Sequence, residues 1–229
     1  MSQSIIPQLI RKDFLIMRRA ILMFGLACLV SIAIISLLFG RVPTWAFFNL
    51  GFALLIIPAV SCGILVLVRT IVFEKEKYTQ SFIMSFPVTV KQFTLAKLLL
   101  NLPMFSALWL VITGVAFYFA FGLGVLPYGT MPFLTMIFLG VFVAYTCILS
   151  VGLLFQSMAI TILAIMTSEL VTVVYLWIIA YLEPIKTHIY DASAVWSTAA
   201  VGIIASQILV IIAVLFSTWH IQNKKRDFI

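Results

Sequence analysis

Apolar residues fall in six long windows along the chain, at 20–40, 46–68, 98–121, 131–155, 158–182 and 196–219. An α-helix rises about 1.5 Å per residue, so about 20 apolar residues cross the roughly 30 Å hydrocarbon core of a bilayer. Every window is long enough, and five of the six contain no charged residue. The pattern predicts six membrane-spanning helices. Pro58 lies in the middle of the second window and Pro103 near the start of the third, positions at which a spanning helix can kink.

The polar intervals are unequal. Residues 41–45 and 156–157 read as tight turns, 122–130 and 183–195 as longer connections on one side, and 69–97 as the one long connection on the other. Ahead of the first window, residues 4–19 form an amphipathic pattern. At 100° per residue, Ile5, Ile6, Leu9, Ile10, Phe14, Ile16 and Met17 share one half of the wheel; Arg11, Lys12, Arg18 and Arg19 take the other, with Leu15 among them. This predicts a helix lying in the membrane interface, its basic side chains toward anionic head groups. Asp13 interrupts the apolar arc between Leu9 and Met17. A bare carboxylate facing lipid is costly, so a cationic partner is expected, Arg69 and Lys97 being the nearest candidates to the membrane surface. A solvated Asp13 on a rolled arm is the alternative.

The 69–97 connection is too apolar for an idle loop. Tyr78, Phe82 and Phe86 recur at i+4 spacing, Met84 lies between them, and Pro87 disfavours helix at Phe86. Thr89 with Gln92 three residues later is a capping box that opens a new helix into the third span. A short amphipathic helix, a sharp break and a second helix start are therefore expected. The apolar patch at the membrane boundary reads as a docking surface, or as side chains dipping into the interface.

Composition and charge set the environment. The 229 residues are 64% hydrophobic and 9% charged, against about 25% charged in soluble domains, which excludes a water-soluble fold. A net charge of +7 invites a nucleic-acid reading. Its distribution opposes one: with the N-terminus inside, twelve of the fourteen Lys and Arg fall on the inner side and only Arg41 and Lys186 outside. Both termini are expected in the cytoplasm, in a bacterial inner membrane. The first 19 residues carry five charges and no cleavage site, so they are expected to be part of the protein and not a removable signal. Cys28, Cys62 and Cys147 lie inside apolar windows without CxxC spacing and read as buried thiols; His188 and His220 have no metal-ligand pattern around them.

These residues resemble the small type-2 ABC transporter permeases. Lys12-Asp13-Phe14 is similar to the "Lys-Asp" arm before the first span of that family, and Glu74, Tyr78, Thr79, Ser85, Pro87, Val88, Thr89, Phe93 and Lys97 are similar to its cytoplasmic element. The charged tail Lys224-Lys225-Arg226-Asp227 also fits. The resemblance implies an all-α membrane protein, one permease domain over 1–229, with six spans, the interfacial arm and a coupling helix between spans two and three. It further implies a separate ABC ATPase subunit that carries ATP and Mg and docks on Glu74, Tyr78, Phe82, Met84, Phe86, Pro87 and Thr89. A second permease copy or a paralogous permease completes the assembly, and the cargo is an amphipathic peptide, toxin or other hydrophobic compound. Residues 183–195 are long enough only for a reduced form of the re-entrant half-helices that larger members carry.

The chain has no G-x-x-x-x-G-K-[ST] and no catalytic constellation, so it is expected to be neither an ATPase nor any other enzyme, with no cofactor or metal of its own. Glu169, at the centre of the fifth window, is the one ionisable acid or base within a span. Placing it there costs roughly 2.5–3.5 kcal/mol on insertion scales, so it should face protein or an aqueous path. It borders a polar stripe of Thr161, Ser168, Thr172 and Tyr175 that reads as a substrate path or an interface. A secondary transporter or a non-transporting scaffold built around Glu169 are the alternative functions. Ala27/Ser31 and Ser36/Gly40 give weak small-xxx-small spacing on the first span.

Overall fold

A computed structural model describes residues 5–76 and 88–224, and among these there is helix and no strand. Six helices are long and apolar enough to cross a membrane: α1 (Ile5–Leu38), α2 (Thr44–Glu76), α3 (Val90–Gly122), α4 (Tyr128–Phe155), α5 (Met158–Tyr181) and α6 (Thr198–Lys224). The chain is a multi-pass helical membrane protein.

The first three helices are the longest, at 34, 33 and 33 residues. At 1.5 Å per residue each measures roughly 50 Å, about 20 Å more than the hydrocarbon core. The start of α1, the end of α2 and the start of α3 meet in one place, so the excess length lies at a common end. α2 and α3 run on through Pro58 and Pro103; α2 passes through a π-helical turn at Val68–Val72 before its last turn Phe73–Glu76, and α3 finishes in one at Tyr118–Gly122. α3 opens on the expected capping box: the Gln92 amide donates to Thr89 Oγ1 at 3.3 Å, and the Thr89 amide donates to Gln92 Oε1 at 3.0 Å.

The arm departs from expectation. It is not a separate interfacial helix, because α1 runs unbroken from Ile5 to Leu38. The reason is local: Arg18-Arg19-Ala20-Ile21 offers no glycine or proline to end a helix, so the amphipathic turn pattern simply continues into the span. Nor is the apolar arc left wholly to lipid. Leu9 packs on Phe93 and Ala96 of α3, and Met17 on Cys62 and Val66 of α2 and Leu100 of α3.

Two halves result. α1, α2 and α3 pack on one another, while α5 and α6 each pack on α4, which also touches α2 and α3. Of the apolar window of α4, 56% is buried, against 6% for α5. Lipid tails are as apolar as leucine, so close packing is what joins helices in a bilayer. The joint between the halves shows it: the Phe105 ring of α3 stacks on the Tyr145 ring of α4 with centroids 3.7 Å apart. Gly63 of α2 makes room for this stack, since a Cβ there would lie 2.6 Å from Phe105 and 2.8 Å from Tyr145. The tight turn between α4 and α5 is made by Gln156 in the left-handed region (φ 50°), its amide donating to Gly152 O. Residues 183–195 hold one helical turn, Glu183–Lys186, and are tied to the start of α4 by the Gly129 amide donating to Asp191 O at 2.9 Å.

Candidate functional site

Where the three long helices meet, four charged side chains form a closed cluster. Lys97 of α3 lies between two carboxylates, with Nζ 2.6 Å from Asp13 Oδ2 and 2.6 Å from Glu74 Oε2. Lys12 bridges the same two acids from the outside, 3.0 Å from Asp13 Oδ1 and 2.6 Å from Glu74 Oε1. Two positive and two negative charges alternate, so the cluster is neutral. Only Lys12 reaches the surface: Asp13 is 1%, Lys97 0% and Glu74 7% exposed. The aligned hydrogen bonds run from Lys97 to Asp13 and from Lys12 to Glu74; the other two contacts are ion pairs without that alignment. The Phe93 ring, one helical turn before Lys97, carries its ammonium at 4.9 Å from the centroid, a cation–π contact on the apolar side.

Such a cluster specifies geometry more than it adds net stability. Desolvating four charges largely offsets their attraction, but removing one member leaves an uncompensated buried charge. The cluster therefore holds the arm to the end of α2 and the start of α3 in one arrangement.

A polar ladder leads from it toward the span centre. Asn101, one turn after Lys97, donates to Lys97 O at 3.0 Å and to Thr70 Oγ1 of α2 at 3.3 Å. Tyr145 of α4 in turn donates to Asn101 O at 3.2 Å. Thr70 sits in the π-helical turn of α2 and donates to Val66 O at 2.7 Å. The charges of the first half are thus joined to the central helix of the second through buried hydrogen bonds.

The second polar feature is a groove of about 330 Å³ between α5 and α6, floored by α4. Ser168, Thr172 and Tyr175 form its α5 wall, Gln207 and Ser206 its α6 wall, and Gly140 and Cys147 lie on its floor. Gln207 pins the three helices, donating to Met136 O of α4 at 3.0 Å and to the Tyr175 hydroxyl at 2.9 Å. The Thr172 hydroxyl donates to Ser168 O at 2.7 Å, leaving its oxygen as an acceptor on the groove wall.

The expected site residues separate accordingly. Of the two cations expected at Asp13, Lys97 is the one there; Arg69 is exposed and is not an ion-pair partner of Asp13. Glu74, expected among the ATPase-coupling residues, is turned inward to Lys12 and Lys97, because two nearby ammonium groups offer a buried carboxylate what an exposed face does not. Tyr78, Phe82, Met84, Phe86 and Pro87 lie outside the described residues. Ser168, Thr172 and Tyr175 share the groove, whereas Glu169 lies outside it on the exposed side of α5.

Sequence reasoning missed Asn101, Tyr145 and Gln207, and it named Lys12 through the resemblance of the arm but not as a partner of the two acids. Asn101 and Gln207 had a usable signal, since each is a lone amide within an apolar window. The place of Lys12 on the polar half of the arm reads as a head-group contact, which hid its pairing with Asp13 and Glu74. No family model, no curated protein and no solved structure matches the chain.

Proposed function

We propose that this chain is the membrane-spanning permease of an ATP-driven ABC exporter, coupled through its 74–93 segment to a separate ATPase subunit that holds ATP and Mg. The four-charge cluster is the observation that carries this reading. Segment 77–87 joins the end of α2 to the start of α3, and Glu74 and Lys97 flank it. With Asp13 and Lys12 bound to the same pair, force applied to the segment reaches α1, α2 and α3 together and does not bend a single hinge. The ladder through Asn101 and Tyr145 extends that path to α4. The groove lined by Ser168, Thr172, Tyr175 and Gln207 offers hydroxyl and amide groups on an apolar floor, suited to an amphipathic or hydrophobic cargo.

In this arrangement both termini and segment 77–87 are cytoplasmic, in a bacterial inner membrane, and two permeases act together with two ATPase subunits. Apolar anchors at the centre of an interface typically carry about 2 kcal/mol or more each. The Phe82→Ala/Phe86→Ala double variant is therefore expected to lose ATPase association in pull-down and export in membrane vesicles. Pro87→Ala is expected to keep association but uncouple hydrolysis from export. A double variant that binds the ATPase and exports like the parent overturns the reading. Topology is tested separately: a cysteine at position 188 should be labelled from outside, and one at 225 only from inside.

A further inference from the structure

The groove between α5 and α6 has most of its polar hydrogens spent and its oxygens open. Thr172 donates to Ser168 O at 2.7 Å, Ser206 to Ile203 O at 2.7 Å, and Tyr175 to Met136 O at 3.5 Å. The Gln207 amide is committed twice, to Met136 O and to the Tyr175 hydroxyl. On the acceptor side, Gln207 Oε1 is buried without a hydrogen-bond partner among the described residues. Thr172 Oγ1 and Ser206 Oγ act there only as donors. Hydroxyls that bond back to their own helix are common in spanning helices. Two of them facing one groove beside an orphaned amide carbonyl form a set of acceptors that lipid tails cannot satisfy.

We propose that the groove selects a lipid alcohol, a neutral long-chain molecule whose hydroxyl donates to these acceptors, taken up sideways from the bilayer. The inference deepens the reading of the groove given above and rests on it only for the groove's role as a ligand path. Shape fits one chain. From Thr167 to Tyr175 the α5 wall runs eight residues, roughly 12 Å along the helix. A volume of about 330 Å³ lies at the small end of ligand pockets, room for a chain and not for a folded peptide. Thr167, Val171, Ser206 and Val210 on its rim are exposed, so the open side faces lipid. Charge and depth then choose the head group. No lining residue is charged, and Thr172 lies nine residues, roughly 14 Å, before the end of α5 at Tyr181. A phosphate or ammonium placed so deep meets no counter-charge, whereas a hydroxyl is tolerated once hydrogen-bonded. An ester or ether brings only another acceptor. A hydroxyl supplies the missing hydrogen, and its own oxygen can accept from Ser168, whose hydroxyl has no bond among the described residues.

The test uses the purified full chain in phosphatidylethanolamine–phosphatidylglycerol vesicles with no ATPase present. Three photoprobes carry a diazirine at the same place in the same chain: hexadecanol, its methyl ether, and a phosphatidylcholine acylated with that chain. Hexadecanol is expected to label peptides holding Cys147 or Ser168–Tyr175 about fivefold more than the ether does, the worth of one neutral hydrogen bond, and unlabelled hexadecanol should compete. Thr172→Val/Ser206→Ala removes two acceptors whose own bonds stay within their helices, so the fold should keep its unfolding midpoint while the alcohol-to-ether ratio falls toward one. Ala144→Phe fills the floor and should abolish groove labelling by both probes. Equal labelling by alcohol and ether in the parent overturns the proposal. So does a ratio unchanged in a folded Thr172→Val/Ser206→Ala protein, or stronger groove labelling by the phosphatidylcholine, which assigns the groove to ordinary lipid tails. Any of these failures leaves the ATPase-coupling test untouched, and failure of the Phe82→Ala/Phe86→Ala test leaves this binding result standing.

Discussion

Two acids, Asp13 and Glu169, sit in apolar surroundings at opposite ends of the fold's polarity problem. Asp13 is held by two lysines, with Lys97 Nζ at 2.6 Å, and is 1% exposed. Glu169 is exposed and has no hydrogen bond or ion pair among the described residues. Asp13 draws one lysine from its own helix and one from α3, whereas α5 carries no basic residue, so the difference comes from the cations within reach of each acid. α1 overhangs the bilayer beside two other overhanging helices, where lysines are cheap to place. α5 packs mainly on α4, and the apolar windows around it hold no lysine. A chain can satisfy a buried acid internally only where its own basic residues can reach.

The largest effect that sharpens this comparison is expected at Lys97. Lys97→Met keeps the volume of the stem but leaves Asp13 and Glu74 buried side by side with only the half-exposed Lys12. Breaking a buried ion pair in this way costs about 3–5 kcal/mol. The loss should appear as a lowered midpoint in SDS or thermal unfolding of the detergent-solubilised protein. The Asp13→Asn/Lys97→Met double variant should be more stable than the sum of the two single effects predicts, by about 0.5–3 kcal/mol of coupling. A double variant whose losses simply add shows that the 2.6 Å contact does not organise this end of the fold.

The second effect is steric and lies at the joint of the two halves. Gly63→Ala places a Cβ 2.6 Å from Phe105 and 2.8 Å from Tyr145, both ends of a tight ring stack. Overpacking of this kind costs about 1–3 kcal/mol. If Gly63→Ala unfolds at the parent's midpoint, the stack yields easily and does not set the spacing of α2 from α3 and α4.

How much of this was legible in the sequence follows from what each signal measures. Hydropathy reports length and polarity, so the six spans and the Thr89–Gln92 capping box were readable, and so was the need of Asp13 for a cation. Periodicity reports a face but not what covers it. The arm was accordingly read as lying on lipid, when α2 and α3 cover part of that face and α1 never breaks. The inward turn of Glu74 was also hidden. In sequence it stands beside Lys75, Glu76 and Lys77 in a charged run, and only the meeting of three helices distinguishes the one acid that Lys12 and Lys97 capture. The α5 wall of the groove, Ser168, Thr172 and Tyr175, was readable as a polar stripe, but residues 140 and 207 come from two other helices and no local pattern links them to it.

A smaller effect is expected along the ladder that joins the halves. Tyr145→Phe removes the hydroxyl that donates to Asn101 O at 3.2 Å, leaving the ring stack in place. The carbonyl it leaves sits within a helix and accepts its own backbone bond, so the loss falls near the low end of about 0.5–1.5 kcal/mol. Export should fall more than stability does if the ladder transmits motion to α4. Equal, slight changes in both reduce the hydroxyl to packing.

The smallest effect on the single chain is expected at Glu169, and its smallness is what separates it from Asp13. Glu169→Gln removes the ionisable carboxyl while keeping size and hydrogen-bonding capacity. Because the native side chain makes no hydrogen bond or ion pair among the described residues, nothing inside the protomer is lost. Unfolding of the detergent-isolated monomer should therefore shift by no more than about 0.5 kcal/mol, the range of surface substitutions without such contacts. Asp13→Asn under the same conditions breaks the bond from Lys97 and should shift by several times that amount. If both substitutions destabilise the monomer alike, Glu169 has an internal partner after all. The contrast between an acid satisfied within the chain and one left open to its surroundings then disappears.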